Sequence, residues 1–85
     1  MMVQDQMAGF RNWLKRNTKL SDKVVGDTIS RLARIEKMVP IRVNVATEDF
    51  LFKLGKNTVF CNLGPSVKSQ LKRAYTLYHQ FCNGS

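Results

Sequence analysis

Apolar residues recur at intervals of three and four along much of the chain, and this spacing predicts amphipathic helices. The first predicted helix covers roughly Gln4–Asn17. The second is the longest and covers roughly Asp22–Met38. Ser21 is a suitable N-cap for it, because a serine oxygen accepts a backbone N–H, and Pro40 prevents the helix from continuing.

The second half of the chain predicts two further helices. Thr47 is the predicted N-cap of a short third helix, which ends near Gly55. Pro65 suits the first position of a fourth helix, because its ring fixes φ and its missing N–H is not needed there. The apolar stripe of this helix continues to about Phe81. Each of the four helices has one apolar face to bury against the others.

Two segments have a less decisive pattern. Residues 40–46 alternate apolar and polar positions, which favours an extended segment but is too short to establish a sheet. The stretch from Lys56 to Leu63 fits either an extended form or one helical turn. The sequence therefore predicts an all-α fold, a compact bundle of four helices or of five. A length of 85 residues allows one domain, residues 1–85, with no room for a second core.

The charge balance points to a polyanionic partner. Fourteen Lys and Arg residues against six Asp and Glu give a formal net charge of +8. Nucleic acid is the usual partner of such a surface, and an anionic membrane is the next. The sequence shows no secretory signal and no apolar stretch as long as a membrane span. We therefore expect a cytoplasmic protein that does not enter a membrane and that associates with the nucleoid when bound.

The candidate DNA contacts lie on two predicted helices. We name the cations of the second helix the first basic line: Arg31, Arg34 and Lys37. We name those of the last helix the second basic line: Lys68, Lys72 and Arg73. Lys68 and Lys72 are four positions apart, so their like charges repel each other on one face of the helix. No acid follows Asp49, so no carboxylate on the last helix offsets this repulsion. Phosphates would offset it, which makes double-stranded DNA the expected partner.

Two polar residues near the start of the last helix join this candidate site. Ser69 and Gln70 are placed to contact phosphates or base edges, since a helix N-terminus favours phosphate. Asp27 precedes Arg31 by four residues, so we expect one salt bridge on the second helix. We expect the hydroxyls of Tyr75 and Tyr78 to remain at the surface while their rings pack in the core.

The sequence offers little for catalysis. His79 is the only histidine, and it has no acid near it in sequence. Cys61 and Cys82 bring the potential Cys and His zinc ligands to three, whereas a structural zinc site normally takes four. A nucleophile, a base and an orienting group cannot be assembled from these residues. We therefore expect no enzyme activity in this chain, no metal and no cofactor.

Four segments together resemble a known family. They are residues 10–14 (FRNWL), 20–38 (LSDKVVGDTISRLARIEKM), 48–54 (EDFLFKL) and 66–78 (SVKSQLKRAYTLY). In order and character they are similar to the helices of the N-terminal core-binding, SAM-like domain of phage integrases and other tyrosine recombinases. The resemblance covers nearly the whole chain and includes no single diagnostic motif.

The resemblance implies a SAM-like bundle that clamps one side of duplex DNA, with two helices near the major groove. Carried over by position, the resemblance implies DNA contacts by five cations: Arg31, Arg34, Lys68, Lys72 and Arg73. Ser69 and Gln70 are the next candidates. The family's catalytic domain lies C-terminal to this region, and this chain does not contain it. The implied partners are therefore that missing domain or other recombinase protomers. Tyr75 and Tyr78 lie inside the core-binding pattern and do not correspond to the catalytic tyrosine.

Two other classes of function stay open at this stage. A helical protein-interaction module would use its basic face to bind an acidic partner, and would bind DNA weakly and without specificity. A membrane-surface or RNA-binding protein would use the same positive charge on a different polyanion.

Overall fold

The structure, a computed structural model, describes residues 4–83, and the side chains of residues 8–83. Within this range it contains five helices and no strand: α1 Gln4–Asn17, α2 Asp22–Met38, α3 Thr47–Gly55, α4 Thr58–Cys61 and α5 Pro65–Cys82. The Cα radius of gyration is 12.2 Å, close to the ~12 Å of a globular chain of this length. The all-α prediction is confirmed, in its five-helix form.

Of the four helices whose N-caps the structure describes, two begin with a side-chain cap. Ser21 caps α2 as predicted, accepting the N–H of Val24 at 3.3 Å. Asn57 caps α4 in the same way. The prediction for α3 is wrong, because the cap is Ala46 and Thr47 is already the first helical residue. The Ala46 carbonyl accepts the first helical bonds, so α3 begins without a side-chain cap.

Residues 40–46 form no strand and instead run against α5. Two α5 side chains and that of the C-cap residue Asn83 donate hydrogen bonds to carbonyl groups of this segment: Tyr75 to Arg42 at 2.7 Å, His79 to Val45 at 2.8 Å and Asn83 to Val43 at 3.0 Å. The alternation of apolar and polar residues therefore reflects packing of the segment against the core and not a β-strand. Val43 and Val45 pack against the core, while side chains of α5, rather than a neighbouring strand, satisfy the backbone.

The stretch from Lys56 to Leu63 contains α4, the helical-turn alternative. Asn57 holds this turn in place through both atoms of its amide. Its Oδ1 accepts the N–H of Phe60 at 3.1 Å, and its Nδ2 donates to the Met38 carbonyl at 3.0 Å. The ring of Phe60 is buried. One residue thus joins the end of α2 to the start of α4.

All five helices contribute to one hydrophobic core, and α2 and α5 form its largest helix–helix contact. Its buried residues are Phe10, Leu14, Val25, Leu32, Ile35, Phe50, Leu54, Phe60, Leu71, Ala74, Tyr75 and Tyr78. Phe50 stacks on Tyr75 with ring centroids 4.1 Å apart. Phe10 meets Tyr78 edge-on at 5.2 Å. These rings tie α1 and α3 to α5.

The prediction that the two tyrosine hydroxyls remain at the surface is wrong. Tyr75 is 0% and Tyr78 is 3% exposed. Burial, with a smaller effect of the nearby Cys82 thiol, raises the pKa of Tyr75 to about 12. Burial also raises the pKa of Tyr78, assisted by its hydrogen bond with Cys82. Both phenols are therefore neutral structural groups across the physiological range.

Candidate nucleic-acid interface

The first basic line lies on the side of α2 away from the core. The residues of α2 that enter the core are Val25, Thr28, Leu32 and Ile35. Arg34 and Lys37 are exposed, and Arg31, nearer to the packed face, is half-buried. The helical repeat explains this increase in exposure. Three residues are slightly less than one turn, so each member of the line lies farther around the helix from the packed face than the one before it.

The predicted salt bridge between Asp27 and Arg31 does not form. Among the described side chains, the one ion pair joins Lys15 Nζ to Asp22 Oδ1 at 3.5 Å. Asp22 lies in the first turn of α2, so this pair connects the end of α1 to the start of α2. All three cations of the first basic line are therefore free of intramolecular ion pairs in the described part of the chain.

The second basic line occupies α5 from its first turns onward. Lys72 and Arg73 are exposed, whereas Lys68 is half-buried. The ammonium of Lys68 lies 5.9 Å from the centroid of the Phe60 ring, at the limit of a cation–π contact. The half-buried Lys68 therefore faces α4 through its ammonium group. No described carboxylate pairs with these three cations.

The start of α5 presents unsatisfied backbone donors beside these cations. Gly64 is the N-cap and supplies no side-chain hydrogen bond, and Pro65 stands in the first turn. Ser69 and Gln70 are exposed, and their side chains make no hydrogen bond within the described residues. The first-turn N–H groups of an uncapped helix favour an anion.

One chain of contacts leads from one basic line to the other. Lys37 precedes Met38, whose carbonyl accepts the Asn57 amide. Asn57 in turn caps the turn that contains Phe60, and Lys68 lies over the Phe60 ring. The structure thus connects the end of α2 to the first turns of α5. We predict that all six cations share one surface.

Three cations outside the candidate set lie beside an exposed ring or a cleft. Lys56 places its ammonium 4.5 Å from the centroid of the exposed Phe52 ring. Arg42 and Lys53 line a cleft between the segment after α2 and the first turns of α3. Two of the three, Lys53 and Lys56, belong to the part of the chain after Asp49 that contains no acid. Lys56 follows Phe52 by four positions, so helical spacing is enough to bring these two together. The cleft that Arg42 and Lys53 share depends on the tertiary path of the chain after α2, which helical spacing does not encode.

The remaining reactive groups are not assembled into a catalytic or metal site in the described range. His79 hydrogen-bonds to the Val45 carbonyl, and the exposed Cys61 donates its thiol proton to the Gly55 carbonyl at 2.9 Å. Cys82 is half-buried. The described residues contain no group of three His, Cys, Asp or Glu side chains able to hold a metal ion. Over the same range, no helix has the length and apolarity needed to cross a bilayer.

Comparison of the chain with protein-family models, with curated proteins and with solved structures gave no match in any of the three.

Proposed function

We propose that this chain is a DNA-binding module that contacts duplex DNA through α2 and α5. The observation that carries the proposal is the absence of any carboxylate partner, among the described side chains, for the cations of both basic lines. Unpaired cations on a protein of net charge +8 repel one another, and a polyanion removes that repulsion.

The energetic argument is counterion release. Each phosphate that a Lys or Arg neutralises frees condensed cations from the DNA. A plot of log affinity against log salt concentration therefore falls with a slope of ~0.9 for each phosphate contact. The exposed members of the lines, Arg34, Lys37, Lys72 and Arg73, need no rearrangement of a protein ion pair before they reach a phosphate. The two arginines can also bind phosphate through two parallel N–H groups.

The start of α5 is the proposed reading position. Ser69 and Gln70 have free side-chain donors and acceptors, and the uncapped first turn offers N–H groups to a phosphate. Lys68 supplies positive charge close to this turn, with its ammonium over the Phe60 ring. In this arrangement phosphate contacts set the register of α5, and Gln70 reaches the base edges.

The finer identity rests on the resemblance of the four helical segments to the core-binding domain of tyrosine recombinases. On that basis we propose a SAM-like bundle that acts by binding and catalyses no reaction itself. Its partners would be a catalytic domain or other recombinase protomers, in the cytoplasm at the nucleoid. The four segments that carry the resemblance lie, in order, within or at the start of α1, α2, α3 and α5, which supports this proposal.

The direct test is fluorescence anisotropy of a labelled DNA duplex of about three helical turns (~30 base pairs). We expect tight binding at low salt that weakens steeply as salt rises. A duplex RNA competitor and pelleting with anionic liposomes measure the competing polyanions. The proposal fails if the DNA duplex does not bind at low salt, or if RNA or liposomes bind at lower protein concentration.

A further inference from the structure

A small cleft opens between the segment that follows α2 and the first turns of α3. Its volume is about 190 Å³, and it is lined by Pro40, Arg42, Val45, Asp49, Phe50 and Lys53. Pockets for whole small molecules usually measure ~300–1,000 Å³. This cleft is therefore of a size to accept one side chain of a larger partner.

Two cations from different elements line the cleft. Arg42 belongs to the segment after α2, and Lys53 belongs to α3. Neither forms an ion pair with a described carboxylate, and this includes Asp49 in the same cleft. A carboxylate placed between them would meet a guanidinium fork that matches its two oxygens, together with an ammonium. The charges of the cleft thus complement an acidic side chain.

The walls of the cleft are held in position by α5. The hydroxyl of Tyr75 fixes the carbonyl of Arg42 at 2.7 Å, and the ring of His79 fixes that of Val45 at 2.8 Å. The floor residue Phe50 is stacked on Tyr75. A wall already fixed in the free protein lowers the entropy cost of binding.

An exposed apolar residue adjoins the cleft. Phe52 is 67% exposed, and with Val59 it makes up the exposed large hydrophobic residues of the described chain. Phe52 follows Asp49 by three positions on α3, so the two are neighbours on the helix surface. We name this region, the cleft together with Phe52, the α3 docking surface.

We propose that the α3 docking surface binds an acidic, partly apolar protein segment. One Asp or Glu side chain of the partner enters between Arg42 and Lys53, and a neighbouring apolar side chain packs on Phe52. Asp49 favours a peptide over a phosphodiester chain, because a peptide main chain offers N–H donors to this carboxylate, whereas a phosphodiester offers only acceptors. The inference uses no residue of either basic line and does not depend on DNA binding.

The probe is an acetylated and amidated peptide of alternating glutamate and leucine, titrated into the ¹⁵N-labelled protein and followed by amide chemical shifts. The matched control peptide carries glutamine in place of glutamate. We expect the glutamate peptide to shift the amides of Arg42, Phe52 and Lys53, and the glutamine peptide to leave them in place.

Substitutions in the cleft test the assignment of the charges. Arg42→Ala and Lys53→Ala each remove an exposed side chain, and each should weaken peptide binding on the order of tenfold. Lys23→Ala removes the same charge from the surface of α2 and should leave the affinity unchanged. Unfolding in urea confirms that the three variants are equally folded.

Three results would overturn the inference. The first is a cleft variant that binds the peptide as tightly as the original protein. The second is a set of peptide-induced shifts confined to α2 and α5. The third is a DNA duplex that shifts the cleft amides and displaces the peptide. Failure of DNA binding alone, with the peptide response intact, would count against the DNA proposal and leave this one standing.

Discussion

Tyr75 of α5 donates a hydrogen bond from its hydroxyl to the carbonyl oxygen of Arg42, 2.7 Å away and 33 positions earlier in the chain. The contact holds the irregular segment after α2 against the last helix. It also fixes one wall of the cleft that we assign to an acidic partner.

Replacing Tyr75 with phenylalanine should lower the free energy of unfolding by about 1–2 kcal/mol, because it leaves a carbonyl without its buried donor. Urea denaturation measures the change. Thr76→Ala is the control, since the Thr76 hydroxyl bonds an exposed carbonyl of its own helix at 2.9 Å, and its loss should cost less than about 0.5 kcal/mol. Equal losses in the two variants would show that the long-range hydrogen bond of Tyr75 contributes no more to the free energy of unfolding than the local bond of Thr76.

The same residue predicts a loss of stability at alkaline pH. The pKa of Tyr75 rises from 10.0 to about 12 on folding, chiefly because the phenol is buried. Below pH 10 the phenol is neutral in both states, and its contribution is complete. As pH rises towards 12, the unfolded phenol ionises first, so unfolding becomes easier by ~1.4 kcal/mol for each unit that separates the two pKa values.

Urea unfolding measured across this alkaline range should therefore show a steeper decline for the original protein than for Tyr75→Phe. Lysine titration affects both proteins alike and cancels in the comparison. Parallel declines would contradict the assignment of a raised pKa to Tyr75.

Asn57 should be one of the most sensitive polar residues. Asn57→Ala removes the cap of α4 and the bond to the Met38 carbonyl, and we expect a loss of about 2 kcal/mol. Asn57→Ser keeps a capping oxygen but has no amide to reach Met38, so it should lose about half as much. Chemical denaturation of both variants checks this order, and a serine variant as unstable as the alanine variant would refute the capping role.

Glycine substitutions in two helices should differ in effect. A Cβ added at Gly26 meets nothing within 4 Å, so Gly26→Ala should stabilise the protein by about 1 kcal/mol through helix propensity. A Cβ at Gly9 would lie 3.3 Å from Cζ of Phe81, so Gly9→Ala should gain less. Thermal unfolding compares the two, and a larger gain at Gly9 would contradict the packing of α1 on α5.

The features that follow from local spacing were predictable. The bounds of α1 and α2 agree with their apolar stripes, and Ser21 caps α2 because capping involves only its own next few residues. Local spacing does not decide whether α4 exists, since its start depends on Asn57 and on the carbonyl of Met38, 19 positions away. The buried Tyr75 hydroxyl was mispredicted for the same reason, because its acceptor lies on a distant loop.

In the candidate site, too, the features set by helical spacing were predictable and those set by tertiary structure were not. Helical spacing placed Arg34, Lys37, Lys72 and Arg73 on exposed faces, and they are exposed. Spacing also favoured a salt bridge between Asp27 and Arg31, which does not form because proximity on a helix allows a pair without requiring it. Arg42 and Lys53 were missed because only the tertiary path of the chain brings them to one cleft.

The measurement that tests the central claim most directly is the salt dependence of DNA affinity for two matched double variants. Lys68→Ala with Lys72→Ala alters the second basic line, while Lys19→Ala with Lys23→Ala removes the same charge from exposed lysines outside both lines. We predict that the first pair reduces the slope of log affinity against log salt by ~1.8, two contacts at ~0.9 each, and that the second pair leaves it unchanged. Equal reductions in both pairs would contradict the account, because binding would then depend on net charge and not on α5.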